Sequence, residues 1–472
     1  MKKRNKYLFK NTIIFAVGNF ASKFISFFLV PLYTSVLSTS DYGVVDLIST
    51  ICMVLVPLFS LNISEAIMRF GLDKEYKVDD ICKIANKIFI LSSLFSIVLI
   101  PILYFVDSTK DFSIIIYLYL ISLMGSQIYL CVLKGKEKLK LYTFGNVLNT
   151  FLIALFNIVF LVVFKFGLYG YLVAYVISNF IVMVYAIISS RAYKYGVNNI
   201  NKVLLKKMIK YSVVLIPTTF MWWIMNSSDR IMVTNMVSSS ANGIYAISYK
   251  LPTLISTIIG IFTQAWLFSA ISEKDSDDKE KYTNQIYKYL FIVCIICCLG
   301  LFMIIKPFMK IYVSSDFYPA WKYSSFLAIG VVFQSLASFI STSYNVYKDN
   351  KGFLFSGLFG AILNIILNFL LIPYFKVYGA AFATCVSYIA VFLYRIFDTK
   401  KYLVIEIFNW KYILSYILMI LSAFTLYIDN LLGQILLILE FILLIILYKN
   451  EFIFLLENIF RILKSRRLNN EK

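Results

Sequence analysis

The sequence predicts an all-α polytopic membrane protein of about 14 transmembrane helices: two six-helix lobes related by a parallel pseudo-two-fold, plus two extra C-terminal helices. Three observations predict it. The 472-residue chain is 60% hydrophobic and 15% charged, with a mean hydropathy of +0.80, which is far too apolar for a soluble protein of that length. Its apolar runs are long enough to cross a bilayer, since ~20 residues at ~1.5 Å each span a ~30 Å core. The chain also repeats itself at an offset near 200 residues.

The apolar runs lie at about 11–37, 42–68, 84–106, 113–133, 141–164, 168–190, 209–236, 243–270, 283–306, 320–345, 353–375, 378–397, 410–428 and 431–449. The first, NTIIFAVGNFASKFISFFLVPLYTSVL, holds Lys23 near its middle. A charge there costs roughly 2.5–3.5 kcal/mol on insertion scales, so it faces water or a partner rather than lipid. At ~100° per residue, Thr12, Asn19, Ser26 and Thr34 share its face. The helix reads as one wall of a polar cavity. A snorkelling side chain or a helix-packing ion pair is the plainer reading, but Lys23 lies far from either end of the run.

The second run holds Asp46 near the outside, and Glu65 and Arg69 near the cytoplasm at a spacing that suits an i, i+4 pair. The seventh holds Asp229 and Arg230, and Lys250 is about equally deep in the eighth. Charges at matched depth on adjacent helices predict an ion pair with a cation left over. Lys288 and Arg395 lie near cytoplasmic ends, where snorkelling accounts for them.

The net charge of +20 follows from the positive-inside rule. Basic residues crowd the N-terminus, the loop KGKEKLK, the segment after the sixth run and the C-terminal tail, which alternate counting puts on one side. The opposite connections are short and nearly free of them, apart from Lys110, Lys165, Lys376 and the trio Lys306, Lys310 and Lys322. Both termini are therefore expected in the cytoplasm, with the protein in the cytoplasmic (plasma) membrane. No basic patch sits among aromatics on a soluble module, so no nucleic-acid partner is expected. The absence of histidine excludes His-based metal sites and His-based acid–base catalysis. The seven cysteines, including Cys294 and Cys297 in a CxxC, read as small apolar residues of membrane helices and imply no disulfide framework. MKKRNKYLFK precedes an apolar stretch too long for a cleaved signal, so a retained first span is expected.

The repeat sets the organisation. TSVLSTSDYGVVDL (34–47) aligns without a gap with TNMVSSSANGIYAI (234–247), pairing Thr34 with Thr234, Ser38 with Ser238, Ser40 with Ser240 and Gly43 with Gly243. FNIVFLVVFKFGLYGYLVAYVIS (156–178) aligns with LNFLLIPYFKVYGAAFATCVS (367–387), pairing Asn157 with Asn368, Lys165 with Lys376, Gly170 with Gly379 and Ser178 with Ser387. Expected divisions are an N-terminal lobe over 1–200, a C-terminal lobe over 201–405, two additional spans over 406–450 and a basic amphipathic tail over 451–472. The tail reads either as an interfacial helix on the inner leaflet or as a solvated terminus. Two parallel halves place a substrate site between them. On the seventh run, Thr219, Trp223, Asn226 and Thr234 share the face of Arg230 and match Asn19, Lys23, Ser26 and Thr34. Trp223 thus stands where Lys23 stands. Its indole suits stacking on a sugar or packing against lipid.

GNFASKFISFFLVPLYTSVLSTSDYGVVDL, followed by SSDRIMV, GIYAISYKLP and VYGAAFATCVSY, resembles the polysaccharide-biosynthesis (Wzx-type) flippases. Their superfamily includes multidrug-and-toxin extruders and lipid II flippases. The resemblance implies two six-helix lobes in a V around a central cavity with alternating access. It implies a polyprenyl-diphosphate-linked oligosaccharide as cargo, moved from the inner to the outer leaflet. Lys23, in SKFISF, occupies the place of a first-helix cation that engages the diphosphate in lipid II flippases, where arginine is usual.

A diphosphate crossing a membrane needs countercharge, which Lys23, Arg230 and Lys250 can supply. Asn19, Ser26, Thr219, Trp223 and Asn226 are the candidate polar and aromatic cavity residues for the sugar. Asp46, Glu65 and Asp229 are candidates for coupling to a proton or sodium gradient. No cofactor, metal or catalytic residue is expected. Expected partners are the lipid-linked cargo, the bilayer, and a polysaccharide polymerase with chain-length proteins. The alternative is a multidrug or cation antiporter of the same fold. Such a protein should centre on buried carboxylates, whereas the deepest charge here is a lysine. A membrane glycosyltransferase or polymerase fits poorly: the DxD of DSDD (275–278) sits in a short charged loop, and no large external loop exists.

Overall fold

The computed structural model describes residues 22–73, 75–105, 109–451 and 453. Thr12, Asn19 and nearly all of the basic tail lie outside them. In chain order the helices are α1 (Ser22–Val36), α2 (Thr39–Phe59), α3 (Ile63–Gly71), α4 (Val78–Phe95), α5 (Ser113–Gly135), α6 (Leu139–Asn157), α7 (Gly167–Ser190), α8 (Lys202–Met236) and α9 (Ser239–Ser248). There follow α10 (Pro252–Ser272), α11 (Lys279–Tyr312), α12 (Trp321–Ile340), α13 (Thr342–Tyr347), α14 (Asn350–Thr399), α15 (Trp410–Thr425) and α16 (Leu431–Leu447). No strand occurs among the described residues, and every expected apolar run carries helix. The protein is a multi-pass, all-α membrane protein.

Caps and prolines set the boundaries. Ser38 and Asp41 close a capping box before α2: the Ser38 hydroxyl accepts from the Asp41 N–H at 3.0 Å, and the Asp41 carboxylate from the Ser38 N–H at 3.4 Å. The second run was expected to be continuous. It breaks instead after Pro57, where Leu61 and Asn62 take left-handed φ of 53° and 51°. The seventh begins early, at Lys202, because the Asn201 side chain caps it by accepting from the Leu204 N–H at 3.0 Å. Pro252 at the first position of α10 separates it from α9.

The fifty residues of α14 are two passes. Lys376 breaks the helix with φ 50° and ψ −127°. The Asn364 amide donates to the Thr384 hydroxyl at 3.3 Å, whereas 20 residues of straight helix would hold them ~30 Å apart. The aligned Lys165 also has a positive φ, 54°. A positive φ is uncommon for a side-chain-bearing residue, and it recurs at these matched positions. Asn157 and Asn368 are both fully buried within a helix near those positions.

The described residues up to Ile247, with Tyr312–Phe317 and Ile372–Val377, form one compact unit. Ser248–Ile311, Tyr318–Leu371 and the described residues from Tyr378 on form a second. The first packs around α5, whose Ile116, Leu120, Met124 and Ile128 are buried. There α3 reaches α5 closely enough that a Cβ on Gly71 would lie 2.7 Å from the Gly135 Cα. In the second, α11 and α12 bury Phe302, Ile305, Val332 and Leu336. Outward faces carry Phe144, Phe151, Phe369 and Leu370, all exposed, where acyl chains rather than water are the fitting solvent.

Arg395 corrects an expectation. It does not snorkel but is 1% exposed, with Nε donating to the Ser356 hydroxyl at 3.1 Å and Nη1 to the Ala337 carbonyl at 2.9 Å. Fixed hydrogen bonds replace its hydration.

Candidate functional site

Within the first unit, α2 and α9 cross where neither helix has a side chain to hold them apart. A Cβ on Gly43 would fall 1.8 Å from the Ser239 carbonyl oxygen, and one on Gly243 2.0 Å from the Thr39 carbonyl oxygen. The contact is reciprocal at the 200-residue offset, glycine facing the helix start of its repeat mate. The Thr39 and Ser240 hydroxyls lie 2.7 Å apart, and the Asn242 amide donates to the Gly43 carbonyl at 2.9 Å. Small residues that admit close backbone approach, joined by polar side chains, are how helices associate in lipid.

Charge lies beside this crossing. Arg230 Nη1 donates to Asp46 Oδ1 at 2.6 Å, with side chains 22% and 11% exposed. Asn242 Nδ2 is 3.5 Å from the other Asp46 oxygen. Asp229, 1% exposed, accepts from the Tyr245 hydroxyl, while its Oδ1 accepts from the Arg230 N–H at 2.9 Å. The Thr234 hydroxyl donates to the Arg230 carbonyl at 2.8 Å. Three helices thus meet in one polar network. A guanidinium fork fits carboxylate and phosphate alike, so Asp46 occupies a position that a phosphate could take.

Of the charges expected at matched depth, Arg230 meets Asp46 of α2. Lys250 belongs to the second unit, half-buried at the break between α9 and α10, where its carbonyl accepts from the Thr253 hydroxyl at 2.9 Å. Arg69 pairs with Asp73 at 3.7 Å rather than with Glu65, which is exposed on α3.

Lys23 and Ser26 are exposed on α1, the Ser26 hydroxyl donating to the Ser22 carbonyl at 2.9 Å. Thr34, expected on their face, is instead buried and donates to the Val30 carbonyl at 3.1 Å. Thr219 is exposed and accepts from the Asn62 amide at 3.4 Å. Trp223 is half-buried, its ring stacked on Phe220 at 5.7 Å, and its indole N–H has no hydrogen-bond partner among the described residues. The Asn226 amide donates back to the Trp222 carbonyl at 2.6 Å.

Sequence reasoning missed Asn242 and Tyr245, which hold Asp46 and Asp229. Their signal was present: both fall in the repeat block that pairs Gly43 with Gly243. It also missed Glu440, a carboxylate of α16 that is 8% exposed and accepts from the Thr425 hydroxyl at 2.8 Å.

The family model described as "Polysaccharide biosynthesis protein" matches residues 8–274, and that of "Lipid II flippase MurJ" matches residues 226–448. An uncharacterized membrane protein of Methanocaldococcus jannaschii is 24% identical over 425 residues, covering 83% of this chain and 97% of its own. The fold is similar to that of the lipid II flippase MurJ in an inward closed conformation, with TM-score 0.69 and 18% identity over 94% of this chain and 100% of that one. It is also similar to an inward-facing multidrug resistance MATE family transporter of the MOP superfamily, with TM-score 0.64 and 11% identity over 81% of this chain and 93% of that one. The first model spans more than half of the sequence, and the chain belongs to the polysaccharide biosynthesis protein family.

Proposed function

We propose that the protein is a flippase. It carries a polyprenyl-diphosphate-linked oligosaccharide from the inner to the outer leaflet of the cytoplasmic membrane by alternating access, for surface polysaccharide assembly. Both termini lie in the cytoplasm, and no catalytic step or cofactor takes part. The observation that carries this reading is the Arg230–Asp46 pair: a membrane-helix guanidinium whose carboxylate partner can be exchanged for phosphate. The family match supports the same reading.

In this mechanism Lys23 is the first cation to meet the diphosphate, and Lys250 adds positive charge. Arg230 then exchanges Asp46 for the arriving anion. That exchange loosens the α2–α9 crossing, which closes the outer side in the resting state. Only an anion that competes for Arg230 triggers the change, so transport is tied to the cargo's charge. Ser26, Thr219, Trp223 and Asn226 offer hydrogen bonds and aromatic surface to the sugar, while the lipid tail stays in the bilayer. A proton or sodium gradient acts through Asp46, Glu65 or Asp229.

A cation antiporter of this fold is disfavoured by the same pair. A carboxylate already neutralised by a guanidinium at 2.6 Å is a poor site for a cationic drug. Complementation of a flippase-null strain tests the proposal. Restored surface polysaccharide is expected. A well-inserted protein that restores none contradicts it.

A further inference from the structure

The connections expected to face outward hold few lysines, and the trio Lys306, Lys310 and Lys322 is their largest group. Two of the three line one cavity. It lies inside the second unit, between the end of α11 and the α15–α16 hairpin, with a volume of about 450 Å³. Lys306, Lys310, Asp429 and Gln434 are among its polar residues, and Phe302 and Leu437 belong to its apolar wall.

The charges are not balanced. Lys306 Nζ lies 2.6 Å from Asp429 Oδ1 and 4.3 Å from the centre of the Trp321 ring. Asp429 is 77% exposed, so water can take its carboxylate at little cost. Lys310 is exposed and makes no ion pair or hydrogen bond among the described residues. Two lysines against one aspartate leave a positive excess. The apolar wall continues along α16 to Ile438, which also lines the cavity and is 45% exposed on a membrane helix. The cavity is therefore cationic at the helix ends and apolar along the span, the same polarity as a phospholipid lying beside it.

We propose that this cavity binds the phosphodiester headgroup of an anionic glycerophospholipid of the bulk bilayer. Lys310 and Lys306 take the phosphate oxygens as Asp429 turns to solvent. Gln434 hydrogen-bonds the headgroup hydroxyls, and an acyl chain follows Leu437 and Ile438. The site shares no residue with the network assigned to the cargo, so it holds a resident lipid rather than the lipid being moved.

The test uses the full-length protein purified in neutral detergent and incubated with phosphatidylglycerol or phosphatidylcholine of identical chains. Lipid retained after exchange is counted by native mass spectrometry. One phosphatidylglycerol is expected to be retained in preference to phosphatidylcholine. Lys310→Gln should weaken that retention about tenfold, the effect of losing one charge-assisted contact, and Lys310→Arg should keep it. Lys23→Ala should leave it unchanged, which separates this site from the proposed cargo path. Equal retention of the two lipids, or a preference that survives Lys310→Gln together with Lys306→Gln in a monodisperse sample, overturns the proposal. Displacement of the lipid by millimolar inorganic phosphate also overturns it, because the site would then be one for a free anion.

Discussion

Arg230 on α8 and Asp46 on α2 are 184 residues apart in sequence and 2.6 Å apart in space. Their side chains are 22% and 11% exposed, so the pair joins two helices with most of its surface withdrawn from solvent. Removing one member of a buried pair typically costs ~3 kcal/mol or more, because the other charge is left uncompensated. Asp46→Asn and Arg230→Gln should each lower the thermal midpoint in detergent. The double variant should lose less than the sum of the two. Additive losses would show that the two side chains do not depend on each other.

The Thr39 and Ser240 hydroxyls, 2.7 Å apart, give a direct handle on the helix crossing. In a background without reactive native cysteines, Thr39→Cys with Ser240→Cys should cross-link on oxidation. Transport should stop and return on reduction. A cross-linked protein that still transports would mean that the crossing need not open.

Gly43 and Gly243 should tolerate no side chain. A Cβ at either would collide with a carbonyl oxygen of the facing helix, and no rotamer change moves a backbone atom away. Gly43→Val and Gly243→Val should abolish the cross-link just described while the protein still inserts. Cross-linking at the parental rate in both would contradict the close approach.

Lys23→Ala should lose most transport with normal insertion, because α1 would then present no cation to a diphosphate. Lys23→Arg should retain it, since phosphate accepts either cation. The readout is surface polysaccharide normalised to membrane-inserted protein. Full transport by Lys23→Ala would remove Lys23 from the mechanism.

At the start of α14, outside the membrane spans, Asp349 is held down to a pKa of about 2. The Gly352 backbone N–H is the largest cause, joined by the Lys401 ammonium at 3.0 Å and the Tyr402 hydroxyl at 2.9 Å. A depressed carboxylate pKa contributes stability that is complete above its unfolded value of 3.8 and fades as pH falls toward about 2. Asp349→Asn should therefore lower Tm at pH 7, and its deficit should shrink between pH 4 and pH 2. A deficit independent of pH would assign the loss to packing.

Much of the fold was legible because membrane helices announce themselves by length and hydropathy. The repeat went further. It matched Lys165 with Lys376, which share a positive φ, and Gly43 with Gly243, which meet. Partnerships were less legible. Asp46 as the mate of Arg230 depends on where α2 and α8 pack, and helical spacing within one run carries no such information. The i, i+4 rule named Glu65 for Arg69, yet Asp73 at the same spacing on the other side won. Arg395 looked like a snorkelling residue because its partners come from elsewhere in the chain: the Ser356 hydroxyl and Ala337 carbonyl accept from it, and it lies over the face of Phe353. Breaks inside runs, as at Leu61–Asn62, were hidden because hydropathy continues unchanged through a kink.

The central claim is tested most directly by transport in proteoliposomes. Polyprenyl-diphosphate-linked oligosaccharide is placed in one leaflet, and its arrival in the other is read with a membrane-impermeant sugar-modifying enzyme. The account predicts protein-dependent arrival that Lys23→Ala and Arg230→Gln abolish. No movement of this lipid by a protein that does move a cationic drug would contradict it.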